Sequence, residues 1–270
     1  MTSHVKKLKE RNLISPEEFI TDKLCYEVIM GSFAYGVSSD TSDIDIYGFC
    51  LPRRNVLYPG DYGWIAGFEA IPYNFEQYQK HHVYCDNKTY DLTIYNIAKY
   101  FRLCAHGNPN MIDSIFVPER CITFSNEIGD LIRKNRHLFL SKKCWHTFKG
   151  YSYSQLRKMT EKNPDPDGKR IAIIEKYGFD VKFAYHLVRL LSEVEQILTE
   201  GDLDLERNRE QLKHIRRGGW TAQEVIEYFK MKQRTLEEVY LKSKLPDRVR
   251  MNEIRNLLFA CLERGYKFYA

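Results

Sequence analysis

Apolar and polar positions change period part-way along this chain. Cys25–Met30 (CYEVIM) is a compact run with β propensity that stops at Gly31-Ser32, and Ile44–Leu51 (IDIYGFCL) is a second run closed by Pro52. Each predicts a strand. Residues 53–88 are irregular and rich in Tyr, Gly and Asn, which predicts an inserted loop with an edge strand at His82–Cys85. Tyr90–Tyr95 (YDLTIY) alternates and predicts a third strand. The period then becomes helical. Ile97, Tyr100, Phe101 and Cys104 share one face of a segment ending at Ala105, Gly107 stops it, and Asn108-Pro109 supplies a cap and a first-turn proline for a helix through Ile115.

Beyond about residue 138 the pattern is helical. Two prolines and a glycine make Asn163–Lys169 a loop. Val181–Glu200 carries an apolar stripe of Phe183, Ala184, Leu187, Val188, Leu191, Val194 and Leu198, with Gly201 as its stop. Thr221 to Glu224 reads as a capping box opening a helix towards Lys242, and Pro246-Asp247 as the start of a last helix through Leu262. The expected fold class is α+β: a core with a short mixed sheet flanked by helices over residues 1–138, then an all-helical domain over 139–270.

Composition narrows the class without deciding it. With 270 residues, 43% hydrophobic and 29% charged, the chain reads as an ordinary globular protein. No run approaches the roughly 20 apolar residues of a membrane span, and Met1–Asn12 lacks the apolar stretch of a secretory signal. Seven cysteines, an odd number with no C-x-x-C pair, argue against a disulfide framework or zinc knuckle and for a reducing cytoplasm. The net charge of +5 fits a protein that handles phosphates or nucleic acid, and equally many metabolic enzymes. The sequence sets no oligomeric state.

The candidate chemistry lies in Gly31-Ser32-Phe33-Ala34-Tyr35-Gly36, followed by Ser39-Asp40-Thr41-Ser42-Asp43-Ile44-Asp45. If the second strand reaches back to Asp43, then Asp43 and Asp45 point to one face with Cα atoms about 6.6 Å apart. Two such charges repel by about 2.5 kcal/mol at an effective dielectric near 20, so a buried pair calls for a cation. Hard carboxylate oxygens select Mg²⁺. Alone, the D-x-D has a plainer reading, Asp43 capping a turn and Asp45 facing solvent. A glycine-serine turn upstream, presenting N–H groups and a hydroxyl to an anion, changes the balance.

G-S-x(3)-G, a short spacer and D-x-D together resemble the signature of the DNA polymerase β-type nucleotidyltransferase superfamily. In that superfamily a third carboxylate comes from a later strand, and Asp91 in Tyr90-Asp91-Leu92 matches it. The run DIYGF after the carboxylates, FRLCAHGNPNMIDSIF at 101–116 and KFAYHLVRLL at 182–191 further resemble predicted bacterial and phage members described as an RNA-repair-pathway polymerase β family. The resemblance implies that Asp43 and Asp45 bind two divalent ions (Mg²⁺ or Mn²⁺), that Asp91 binds one of them, and that Gly31 and Ser32 hold the β- and γ-phosphates of an NTP. Asp91 has a competing reading as a strand-edge carboxylate paired with a nearby Lys or Arg.

Two further groups stand out. Lys182, His186, Arg189 and Glu193 form one polar stripe on an otherwise apolar helix, either a solvated face or charge neutralisation for the triphosphate. Arg216, Arg217 and Trp220 flank Gly218-Gly219, either contacting a nucleic-acid backbone and stacking a base or forming a surface loop. Tyr151 and Tyr153 are expected in the core or lining the nucleotide cleft, Asn108 and Asn110 in helix capping. His81 and His82, adjacent on a strand, are expected to face opposite ways.

The reaction expected is NTP plus an acceptor hydroxyl giving nucleotidyl-acceptor and pyrophosphate, with the helical domain closing over the nucleotide. An RNA 3′ end, tRNA-like, is the favoured acceptor. A protein hydroxyl receiving AMP, or a small molecule, is the enzymatic alternative, and a non-catalytic nucleotide or RNA sensor the alternative of another class. Retention of all three carboxylates argues against the sensor.

Overall fold

The computed structural model of the protein describes residues 3–39, 42–68, 70, 74–160 and 171–266. Its five strands are β1 (Leu24–Ile29), β2 (Ile44–Cys50), β3 (Gln77–Cys85), β4 (Lys88–Asn96) and β5 (Ile122–Ser125), in the order β3-β4-β2-β1-β5. β2 and β4 run parallel and the other pairings are antiparallel, so the sheet is mixed as expected. β3 is the expected edge strand but begins at Gln77. It forms a hairpin with β4 through Asp86 and Asn87, both at positive φ (49° and 58°), the conformation tight hairpin turns require. β5 had no sequence signal, since four residues are too few to show a period.

Helices α1 (His4–Glu10) and α2 (Glu18–Asp22) precede the sheet, α3 (Gly31–Ala34) is a single turn after β1, and α4 (Arg54–Leu57) follows β2. α5 (Ile97–Ala105), α6 (Pro109–Phe116) and α7 (Glu127–Lys134) complete the first half. The second half carries α8 (Lys143–Thr160), α9 (Ile171–Tyr177), α10 (Val181–Glu200), α11 (Arg209–Arg216), α12 (Ala222–Lys242) and α13 (Met251–Tyr266). The expected loop at Asn163–Lys169 lies outside the described residues.

Local signals set most helix ends. The Asn96 side chain accepts from Ala98 N–H at 2.8 Å to open α5, and Asn108 accepts from Met111 N–H to open α6. Gly201 adopts φ +66° to close α10, and Thr221 and Glu224 form the reciprocal capping box of α12. The last helix differs: it starts at Met251 instead of Pro246 and runs to Tyr266. The intervening segment is held to the body, with Lys142 N–H donating to the Pro246 carbonyl at 2.9 Å and Ser243 Oγ donating to that of Leu198.

Strand alternation divides the sheet into two faces. Ile46, Leu92 and Ile94 pack with Val5, Leu8, Phe19 and Ile20 of α1 and α2. Phe49, with Tyr26 and Val28, faces the other way into a larger apolar cluster that runs through α5 and α6 to α8, α10 and α13. α1 is tied down by Glu27 of β1, which is fully buried and accepts from Ser3 Oγ (2.6 Å), His4 N–H (2.7 Å), Val5 N–H (3.0 Å) and Thr123 Oγ1 (2.5 Å). A carboxylate from the sheet thus satisfies N–H groups that the first turn of a helix leaves unpaired. Among the described residues no helix is long and apolar enough to cross a membrane.

Candidate active site

Asp45 and Tyr47 have the same strand parity as Phe49, so they line up on the face turned towards α8 and α10. β2 begins at Ile44, which leaves Asp43 exposed just ahead of it. Asp45 pairs in register with Asp91 across the parallel β2–β4 ladder, and the next pairs on that face are Tyr47 with Thr93 and Phe49 with Tyr95. Two carboxylates therefore project side by side from one surface.

Burial pushes the Asp45 carboxyl up to about 6, the charge of Asp91 adds to that, and Asp43 contributes in the same direction. Lys182 and His81 oppose it. Asp45 is thus the carboxyl on which the other four groups act. Asp91 is held by the backbone N–H of His82 at 2.8 Å, with His81 Nδ1 at 3.5 Å and His82 Nδ1 at 4.0 Å from the same oxygen. This corrects the expectation that the two histidines face opposite ways. The register of β3 shifts between Lys80 and Val83 and His82 sits at φ +55°, so a bulge turns both rings towards Asp91. Among the described residues no group of three or more His, Cys, Asp or Glu side chains has the spacing of an assembled metal site.

Gly31 faces this surface from the end of β1. Met30 N–H donates to the Asp45 carbonyl at 2.7 Å, Gly31 takes φ +62°, and a Cβ placed there would overlap the Asp45 carboxylate. Both conformation and space require glycine. The following turn, with Ser32 half-buried, is clamped from outside: Arg120 donates to the Phe33 carbonyl at 2.9 Å and Arg216 to that of Val37.

A cavity of about 260 Å³ opens between the sheet and the helices. Gly31, Asp45 and Tyr47 form its sheet side, while Tyr151, Gln155 and His186 reach it from α8 and α10. Asn110 of α6, Tyr35 and Arg189 line it as well. His186 is half-buried and Lys182 exposed. Arg189 and Glu193 do not form a solvated continuation of that stripe. Arg189 is 5% exposed and bonded to Asp113 and, at 2.9 Å, to Glu193, with its guanidinium 4.2 Å from the Tyr35 ring centroid. Tyr35 OH donates to Asp113 at 2.8 Å. Burial raises the carboxyls of both Asp113 and Glu193, Glu193 markedly. Arg189 therefore shapes the cavity wall with its charge already committed.

The Arg216–Trp220 group separates. Arg216 joins the glycine-serine turn and lies over the Tyr185 ring at 5.1 Å, Arg217 is exposed, and Trp220 packs edge-on against Tyr228 at 5.3 Å. Sequence reasoning missed Tyr47, whose signal was present: it continues the D-I-D-I-Y alternation. Asn110 was read as a cap residue, but only Asn108 caps, and Gln155 had no signal at all. Tyr151 does line the cavity.

The chain matches the RNA repair pathway DNA polymerase beta family over residues 4–259. It belongs to that family. Membership makes it a polymerase β-like nucleotidyltransferase associated with RNA repair. No curated protein matches. A solved nucleotidyltransferase-like protein from Exiguobacterium sibiricum aligns over 98% of this chain and 76% of its own, at 12% identity and a TM-score of 0.32, a likeness too weak to carry a structural argument.

Proposed function

We propose that this polymerase β family member transfers a nucleoside monophosphate from an NTP to the terminal hydroxyl of an RNA 3′ end. The observation that carries this reading is the register pairing of Asp45 with Asp91 against Gly31, which sets a carboxylate pair beside a glycine turn, with Asp45 and Gly31 lining one cavity.

The donor set suits a hard divalent cation, since Asp43, Asp45 and Asp91 offer only oxygen, with Asp45 and Asp91 paired across the strands and Asp43 just ahead of β2. Those three side chains would hold Mg²⁺ or Mn²⁺, which when bound supplies charge neutralisation at the phosphates and acidity to the attacking hydroxyl. The protein's own groups do the rest. The Gly31-Ser32 turn receives the β- and γ-phosphates through N–H groups and the Ser32 hydroxyl. Lys182 and His186 offset their charge, and Arg189 keeps the cavity wall in place. The acceptor oxygen bonds to the α-phosphorus as the bond to the bridging oxygen breaks, and pyrophosphate leaves. Asp91, fixed by His82 N–H, takes the hydroxyl proton. Residues 139–270 act as the helical domain that closes the cleft, supplying Tyr151, Gln155 and His186 to its far wall.

A polyanionic acceptor is favoured over a protein or small molecule by a second cavity of about 380 Å³ whose wall includes Lys176, Lys182 and Arg216 beside Tyr177. Lys182 lies between it and Asp45. Such a cationic, aromatic-edged groove suits single-stranded RNA. Unpaired cysteines throughout fit a cytoplasmic setting.

The test is incubation with α-labelled NTPs, Mg²⁺ or Mn²⁺, and RNA, protein or small-molecule acceptors. Label on RNA 3′ ends supports the proposal. Label confined to protein would establish AMP transfer instead, and nucleotide binding without pyrophosphate release would establish a sensor.

A further inference from the structure

The cavity wall opposite the carboxylates has a chemistry that phosphate binding does not use. Asn110 on α6 and Gln155 on α8 are half-buried and line the cavity, and neither side chain has a hydrogen-bond partner among the described residues. Arg189 Nε, on the same wall, is buried and likewise unpartnered. Buried polar groups are ordinarily hydrogen-bonded, so the buried Arg189 Nε, with two half-buried carboxamides that no protein group engages lining the same space, leaves this wall's polar groups available to a ligand. Tyr151 stands beside them. Its hydroxyl receives a bond from Asn108 Nδ2 at 3.0 Å, which fixes the ring while leaving the residue 40% exposed. Tyr47 faces the same cavity from β2.

Apart from His186, already assigned to the phosphates, and Arg189, whose charge is spent on Asp113 and Glu193, this wall is neutral. A triphosphate would draw nothing from carboxamides that the Gly31 turn and Lys182 do not provide better. A heteroaromatic base offers a π face to a held tyrosine and an edge of adjacent donors and acceptors to carboxamides, each of which presents one donor group and one acceptor.

We propose that Asn110 and Gln155 read the base edge of the incoming NTP while Tyr151 stacks on its face, so that these residues set which nucleotide the enzyme accepts. The assignment rests on the nucleotidyltransferase reading above and adds to it the base subsite. Neither carboxamide helps to hold the fold: Asn108 is the cap of α6, and Gln155 has no partner to lose.

The experiment is titration of the 270-residue chain with ATP, GTP, CTP, UTP and inorganic tripolyphosphate in the presence of Mg²⁺, for the wild type, Asn110→Ala and Gln155→Met. The methionine keeps the packing of Gln155 without its amide, and thermal melts check that each variant is folded. Wild-type affinities for the four NTPs are expected to differ by about tenfold or more, and each variant to shrink that spread to about threefold while leaving tripolyphosphate affinity unchanged. The assignment is overturned if the wild type binds all four alike, if both variants keep the spread, or if tripolyphosphate affinity falls together with the NTPs. A loss of RNA affinity with NTP selectivity intact would likewise overturn it and give the cavity to the acceptor. Pyrophosphate release is followed in parallel. Its absence with every NTP and RNA tried contradicts the transfer reading alone, whereas unchanged selectivity in the variants contradicts the base subsite alone.

Discussion

Asp45 and Asp91 are direct partners across two parallel strands, and Gly31 closes over the first of them with no room for a Cβ. The backbone thus fixes the separation of the two carboxylates and their distance from the turn before any ligand arrives. That is the arrangement a reaction governed by positioning and charge neutralisation requires.

The raised Asp45 carboxyl makes stability depend on pH. Its folded pKa of about 6 stands above the ordinary 3.8, so between those values the folded state holds more protons than the unfolded one. Stability of the cation-free protein should therefore fall as pH rises from about 4 to 6 and level off above, by about 2–3 kcal/mol from this group. Asp45→Asn removes the charge and should raise the melting temperature at pH 7 but not at pH 4. Mg²⁺ should stabilise the wild type at pH 7 and not the variant. Melting curves at the two pH values, with and without Mg²⁺, check both statements.

Gly31→Ala places a methyl group where the Asp45 carboxylate sits and forces a non-glycine residue to φ +62°. A stability loss of about 1–3 kcal/mol is expected from the strain, with transfer activity falling about a hundredfold or more because the carboxylate must move. Urea unfolding and initial rates measure the two separately.

The buried network gives a graded set. Removing Arg189 (Arg189→Met) strands Asp113 and Glu193, and Asp113→Ala strands the guanidinium. Each should cost about 3–5 kcal/mol. Glu193→Gln keeps the shape and an acceptor oxygen and leaves Asp113 to pair with Arg189, so it should cost less, about 1–2 kcal/mol. Denaturant midpoints would show the order, and equal losses for all three variants would contradict it.

Glu27 offers a control remote from the cavity. Glu27→Ala leaves two N–H groups and two hydroxyls without their common acceptor and should destabilise the protein by about 2–4 kcal/mol. Turnover per folded molecule should stay at the wild-type value, as measured by activity against folded fraction in mild urea.

How much of this was legible depended on whether a signal was local. The facing of Asp45 follows from the strand period of two, though the strand begins only at Ile44 and leaves Asp43 outside it, and one boundary each of α10 and α12 follows from Gly201 and Thr221. Asp91 could be nominated because it lies in an alternating run. His81 and His82 were misread because a bulge breaks the alternation that the argument assumed. Arg189 was placed on a charged stripe because its partner Asp113 is remote in sequence, on α6, and no spacing within α10 shows that the side chain turns inward. Pro246 promised a helix start, yet the Pro246 carbonyl is taken by Lys142 and the helix waits for Met251. Asn110 and Gln155 became visible only when three helices met the sheet.

The most direct test of the paired carboxylates is pyrophosphate release in a single turnover with NTP, Mg²⁺ and an RNA acceptor, comparing wild type with Asp45→Asn and Asp91→Asn. Each variant is expected to lose about a thousandfold or more in rate while remaining folded. Release at the wild-type rate from either variant would contradict the assignment of Asp45 and Asp91 as the centre of the reaction.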